Sequence, residues 1–321
     1  MTSEAQPPRD APSRDAIVAT ARESIARGSK SFAAASLLFD PATRERAWLL
    51  YAWCRACDDI ADGQDHGHDL RAVEDAPARI AAMATLTDAA LDGKTVGLPA
   101  FDALRLVAAE TRLPRRFAHD LIQGFRLDGE GWRPWSEDDL LTYCYHVAGV
   151  VGCMMAVAMG VDPADEAVLD RACDLGLAFQ LANIARDVDE DARGGRCYLP
   201  GAWLAEMGIA PDTLLAPEHR PALAVLARRL TDRAAAFEAS ARMGTRALSF
   251  RSAWAVLAAA RIYGTIGAKV AARGERAWDA RVTTSAAEKL GFIARAAVEA
   301  RGRRALVEVP RDPTLWRRPR G

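Results

Sequence analysis

The 321-residue chain carries almost no net charge, with 42 Lys and Arg against 43 Asp and Glu. A general nucleic-acid binder has a clear basic excess, so that class is set aside. No signal peptide is visible, because the first residues are polar and proline-rich with no apolar run. The six cysteines (Cys54, Cys57, Cys144, Cys153, Cys173, Cys197) form no disulfide framework, which makes a reduced, cytoplasmic setting the expectation. Cys54-x-x-Cys57 lacks a second CxxC to complete a zinc site. It also falls inside an apparent helix, so it reads as packing. The longest uncharged stretch, 147–161, falls short of the roughly 18–20 apolar residues that span a bilayer. Its glycines, Gly149, Gly152 and Gly160, suggest a buried helix with space beside it for an apolar ligand.

Strand patterns are missing as well. β-Branched residues are thinly spread, alanine, leucine and arginine dominate, and half the chain is hydrophobic, which favours helices around a sizeable core. Helical patterning starts near Asp15 and is broken by Ser29-Lys30-Ser31-Phe32. It resumes at Asp40-Pro41, an aspartate cap with proline in the first turn, and runs to near Gly63. A polar loop is expected over 64–69. Further helices are predicted over 70–91, 99–111, 114–127, 137–160, 165–192, 217–243, 248–273 and 284–303, with breaks at Asp92-Gly93 and Gly129-Glu130-Gly131. There is no internal repeat and no linker of useful length. The expectation is one all-α domain over 14–303 with a central apolar cavity. A disordered N-terminal tail (1–13) and a basic C-terminal tail (304–321), read as solvated, flank it.

Two acid clusters stand out on helical stretches: Asp58-Asp59-Ile60-Ala61-Asp62, and Asp187-Val188-Asp189-Glu190-Asp191 preceded by Asn183. Asp58 and Asp62 are one turn apart on one face, and Asn183, Asp187 and Asp191 repeat that step twice. Most acid runs are solvated helix faces, and one such run alone would be weak. Here each extends from an apolar run, 48–54 and 175–182, so both helices look buried where the acids begin. Carboxylates this close repel unless a cation sits among them, and oxygen-only ligands suit Mg²⁺ completed by substrate phosphates. Arg55, Arg186 and Lys30 are cations placed to take phosphate oxygens, although for any one of them a surface ion pair is the blander explanation. Tyr51, Tyr145 and Tyr263 could face a carbocation, or simply fill the core. His119 and His146 have no partners at metal spacing.

These residues fall in blocks that resemble the squalene/phytoene synthase family, and within it the bacterial phytoene synthases. The blocks are Gly28-Ser29-Lys30-Ser31-Phe32, 51–55 running into 58–62, 143–149, 180–191, 195–200 and 277–281, in that order along residues 15 to 300. The resemblance implies a single-domain isoprenoid synthase helical bundle. It implies that Asp58, Asp62, Asn183, Asp187 and Asp191 hold Mg²⁺ (with Mn²⁺ as an alternative). It also implies that Ser29, Lys30, Ser31, Tyr51, Arg55, Gln180, Arg186, Tyr263 and Arg281 contact the diphosphate or its metals, and that Tyr145 lies on the cavity wall.

The implied reaction is head-to-head condensation of two geranylgeranyl diphosphates through a cyclopropylcarbinyl diphosphate to phytoene, the entry to carotenoid biosynthesis. No NADPH is expected, since that cofactor belongs to squalene synthases, which quench the last cation with hydride. The alternatives are a C15-specific squalene, dehydrosqualene or hydroxysqualene synthase, a head-to-tail elongase or cyclase, and a non-catalytic helical assembly factor of the same fold. The acid motifs do not separate the C15 and C20 readings; the 196–200 and Trp278-Asp279 blocks favour C20. The prenyl diphosphate is the expected partner, with peripheral contact at the inner membrane surface because substrate and product are oily.

Overall fold

The computed structural model describes residues 12–62, 76–305, 307 and 309–320; residues 1–11 of the tail expected to be disordered over 1–13, and the polar loop 64–69, lie outside the described residues, while Ser13 of that tail caps α1. Among the described residues there are helices and no strands. The chain runs through α1 (Arg14–Gly28), α2 (Lys30–Ser36), α3 (Pro41–Asp62), α4 (Ala76–Leu91), α5 (Pro99–Thr111), α6 (Arg115–Gly129) and α7 (Glu137–Cys144). A π-helical turn (Tyr145–Gly149) then leads into α8 (Val150–Ala158) and α9 (Glu166–Arg193). The short α10 (Gly201–Glu206), which the sequence did not reveal, precedes α11 (Arg220–Gly244), α12 (Phe250–Arg273) and α13 (Ala286–Gly302).

Local chemistry explains the helix starts. Asp40 accepts from the Thr43 amide at 3.0 Å with Pro41 in the first turn of α3. Ser136 with Asp139, and Ser285 with Glu288, form capping boxes at α7 and α13. The 137–160 prediction is a single rod interrupted by the π turn. Such turns often mark functional sites.

α9 is the central helix. It packs against α8, the π turn, α11 and α12, while α3 packs against α1, α4, α5, α6 and α8. Gly149 and Gly152 of the 137–160 rod serve α9, while Gly160 ends the rod at a positive φ of 95° with nothing against it. A Cβ on Gly152 would overlap the Ala172 carbonyl, and one on Gly176 would stand 2.7 Å from Gly149 Cα. The two backbones touch where space for an apolar chain was expected. Cys54-x-x-Cys57 is packing, as read: Cys57 is buried, and burial pushes the Cys54 thiol up to about 12, far from a reactive thiolate.

The end of the C-terminal tail is docked at particular side chains, although most of its described residues are exposed. Leu315 and Arg318 are buried, and Arg311 grips the fully buried Asp174 of α9 through two bonds, 2.9 and 2.7 Å. Arg318 pairs with Glu166 and with Asp170 at 2.9 Å, and Arg320 reaches Asp170 at 2.6 Å. Arginine content read as a surface property is here the complement of an acid row, Glu166, Asp170 and Asp174, at one-turn spacing along α9.

Candidate active site

Arg55 organises the first acid cluster. Standing three residues before Asp58 and four before Asp59, its guanidinium reaches Asp58 at 2.8 Å and Asp59 at 2.9 and 2.5 Å, which relieves the repulsion between the two acids. The Asp58 side chain is 39% exposed against 17% for Asp59, so Asp58 is the carboxylate with an open edge. One turn earlier, burial pushes the Tyr51 hydroxyl above its ordinary range, with Arg55 opposing. Tyr51 Oη lies where a Cβ on Gly28 would be, and its ring is 5.7 Å from that of Phe32. The fold thus joins the 28–32 block to the 51–59 block. The Ser29 hydroxyl is used locally, accepting from the Phe32 amide at 3.3 Å to cap α2. The side chains of Lys30, Ser31 and Asp62 lie outside the described residues.

The second cluster rides on α9, with Gln180, Asn183, Asp187 and Asp191 along one face. Asn183 Oδ1 is buried with no hydrogen-bond partner, an acceptor left waiting in the interior. Asp187 takes both arms of Arg186, one at 2.7 Å, and Arg281 approaches it at 3.3 Å while pairing with Glu190. Burial, then the negative charge of Asp187, push the Asp191 carboxyl up to about 7, with Arg196 pulling the other way. An orphaned amide oxygen and two crowded carboxylates, all hard oxygen donors, fit a divalent cation. Among the described residues no three His, Cys, Asp or Glu side chains close into a metal cage.

Tyr263 stacks on Phe179 at 4.1 Å between centroids, close enough to Arg186 for that cation to oppose the upward shift that burial imposes on the phenol. Tyr263 lines a cleft of about 320 Å³ between α9, α11 and α12, walled by small residues such as Ala178, Ala182 and Gly267. The acids of α9 are not in that wall.

Tyr145 departs most from expectation. It is 1% exposed, and its hydroxyl donates to Asp120 at 2.5 Å, so in this structure it presents no open cavity face. His146 Nδ1 meets the Asp120 carbonyl at 2.8 Å, and burial holds its pKa below the usual range. His119 pairs with Asp88 at 3.1 Å.

A further group went unread. Trp132, Tyr143 and Tyr198 stack in series, and both tyrosines donate to Asp128, at 3.0 and 2.9 Å. The charge of Asp128 adds to the upward push on Asp191. Tyr143 and Tyr198 belong to the conspicuous blocks, but their separation along the chain hides the shared carboxylate.

Residues 25–288 match the family model for squalene/phytoene synthase. The chain belongs to the squalene/phytoene synthase family. Members of the family are prenyltransferases, and so is this chain. It is 48% identical over 301 residues to the phytoene synthase of Pseudescherichia vulneris, covering 93% of this chain and 97% of that protein. It is 46% identical over 299 residues to the 15-cis-phytoene synthase of Pantoea ananas, covering 92% and 96%. Its fold is similar to that of a dehydrosqualene synthase solved with a ligand, with a TM-score of 0.79 at 26% identity over 89% of this chain and 97% of that one. The isoprenoid synthase bundle is therefore the fold, as the sequence blocks implied.

Proposed function

We propose that this prenyltransferase is a phytoene synthase. It joins two geranylgeranyl diphosphates head to head, through a cyclopropylcarbinyl diphosphate, to phytoene for carotenoid biosynthesis. The observation that carries this reading is the 46–48% identity with bacterial phytoene synthases along nearly the whole of both chains.

In this reading Asp58 and Asp62 on α3, with Asn183, Asp187 and Asp191 on α9, hold Mg²⁺, which Mn²⁺ can replace. The orphaned Asn183 Oδ1 and the raised Asp191 carboxyl support that assignment. When bound, the metal supplies charge neutralisation for the diphosphate leaving group. Arg55, Arg186 and Arg281, each already turned to a carboxylate, rotate onto phosphate oxygens beside Ser29, Lys30, Ser31 and Gln180. Tyr51 and Tyr263 offer ring faces to the allylic cation, and the apolar bundle keeps water from it. The final cation loses a proton and needs no NADPH.

The enzyme works in the cytoplasm with peripheral contact to a bilayer, since its substrate and product are lipids. The outer face of α13 supports this contact: Leu290 and Val298 are exposed on one stripe, while Glu288 and Glu299 turn to Lys269, Arg242 and Arg261.

The test is to supply purified protein and Mg²⁺ with C20 or C15 diphosphate, without NADPH, and identify the hydrocarbon. A C40 product from the C20 substrate is expected. Turnover of C15 alone to a C30 hydrocarbon would assign the chain to the dehydrosqualene branch.

A further inference from the structure

We propose that the turn after α2, the start of α12 and the outer stripe of α13 form one docking surface for a bilayer of anionic phospholipid. The inference rests on the reading that the enzyme contacts a membrane, and it names the face and the lipid chemistry that this face selects.

Side-chain contacts join the three elements. Leu37, at the end of α2, is 59% exposed, and the Arg251 guanidinium of α12 donates to the carbonyls of Leu38 and Leu37 at 2.8 and 3.4 Å. Next to Arg251, the Phe250 ring lies against Trp254, whose indole N–H donates to the Ile293 carbonyl of α13 at 2.7 Å. The Arg301 guanidinium of α13 stands over Phe250, 5.4 Å from its centroid. Ala296 and Ala300 turn the inner side of α13 to the core. The outer stripe carries Leu290, Ala294, Val298 and Arg301, all exposed, with Leu290 and Val298 at 69% and 71%.

The charge on this surface has one sign. The sequences of α2, α12 and α13 hold two carboxylates, Glu288 and Glu299, in a chain whose charges otherwise nearly cancel. Both are engaged away from the stripe, Glu288 by Lys269 and Glu299 by Arg242 and Arg261. Arg295 and Arg304 are exposed and form no hydrogen bond or ion pair among the described residues. Arg251 and Arg301 meet carbonyls and a ring, not acids. Aliphatic side chains interleaved with such cations match an anionic interface: the former enter the acyl boundary while the long arginine side chains reach the headgroup phosphates. A second copy fits poorly, because a twofold contact would set this face against itself, cation to cation.

The position suits a lipid substrate. α2 spans seven residues, so the Ser29-Lys30-Ser31 block at its start is about 10 Å from Leu37 along the helix axis. A prenyl diphosphate leaving the bilayer beside Leu37 has a short path to the residues proposed to receive its head.

The experiment is flotation of the full chain, without substrate, on phosphatidylcholine vesicles that contain or lack phosphatidylglycerol. The wild type should float with the anionic vesicles and not the neutral ones, and rising salt should release it. Arg295→Gln with Arg304→Gln should weaken binding roughly fivefold per arginine, and Leu290→Ser with Val298→Ser about tenfold. Val225→Ser alters an exposed aliphatic side chain near the other end of α12, where Arg220 meets the Glu275 carbonyl, and should bind as wild type. Circular dichroism should be the same for all, and in detergent micelles every variant should turn over substrate at the wild-type rate. Either double variant floating as well as wild type, flotation indifferent to phosphatidylglycerol, a wild-type dimer that the double variants lose, or turnover lost in detergent overturns the proposal. A wild type that never floats also removes the membrane contact on which the proposal rests, whereas variants that float leave that contact standing and move it to another face. The hydrocarbon formed by the wild type reports on the reaction separately.

Discussion

Gly28 stands directly against Tyr51: any Cβ on the glycine would overlap the phenol oxygen. Gly28 closes α1, where alanine would ordinarily stabilise the helix by about 0.5–1 kcal/mol. Here Gly28→Ala should instead displace the Tyr51 hydroxyl and lower kcat/KM about tenfold. Adding Tyr51→Phe, which removes the obstructed oxygen, should restore the melting temperature without restoring turnover. Full activity in Gly28→Ala, read as diphosphate release, would detach Tyr51 from the reaction.

The acids of α3 and α9 should be separable from the fold. Asp58→Asn and Asp187→Asn each keep size and remove a charge, so turnover should drop by about three orders of magnitude while far-ultraviolet circular dichroism stays at wild type. EDTA should stop the wild-type enzyme and Mg²⁺ should restart it. Chelator-resistant turnover would remove the metal from the proposal.

Asp191 gives a pH signature. Its carboxyl titrates near 7 in the folded chain against 3.8 for an ordinary aspartate. Between those values the folded state keeps a proton that the unfolded state has released, so this group contributes a loss of stability as pH rises through the window. Asp191→Asn abolishes that contribution. Melting curves without metal should show the variant gaining on wild type between about pH 4 and 7, with a constant gap above. A gap that does not change with pH contradicts the assignment.

Arg311→Ala leaves Asp174 buried and unpaired, and loss of one partner from a buried ion pair destabilises by about 3–5 kcal/mol. Urea denaturation should show a shift of that order. Asp174→Asn removes the charge along with the need for its partner, so it should lose less. Equal losses in the two variants would mean that packing, not charge, holds the segment.

Much of the architecture is legible in the chain because helices declare themselves locally. The 99–111 helix begins and ends where proline and hydrophobic periodicity place it, and the caps at Asp40, Ser136 and Ser285 are local sequence signals. The candidate site is legible only in part. α9 carries two acid rows with the same four-residue step. Spacing alone does not tell Glu166–Asp170–Asp174, which hold the C-terminal segment, from Asn183–Asp187–Asp191. What separates them is the location of the arginines, and Arg311 and Arg318 lie at the far end of the chain. The glycines at 149 and 152 mislead for the same reason. A missing side chain signals proximity without naming the neighbour, which here is the backbone of α9.

That contact sets a reference height for the chemistry. Where Gly176 meets the Ala148–Gly149 backbone, neither rod has a side chain able to yield, so α9 does not slide along its neighbour by partial steps. Asn183 begins about 10 Å further along the same rigid cylinder. Its oxygen and those of Asp187 and Asp191 move together or stay together. Gentle warming that spares the glycine seam should therefore leave catalysis intact, and opening the seam should extinguish it in one step.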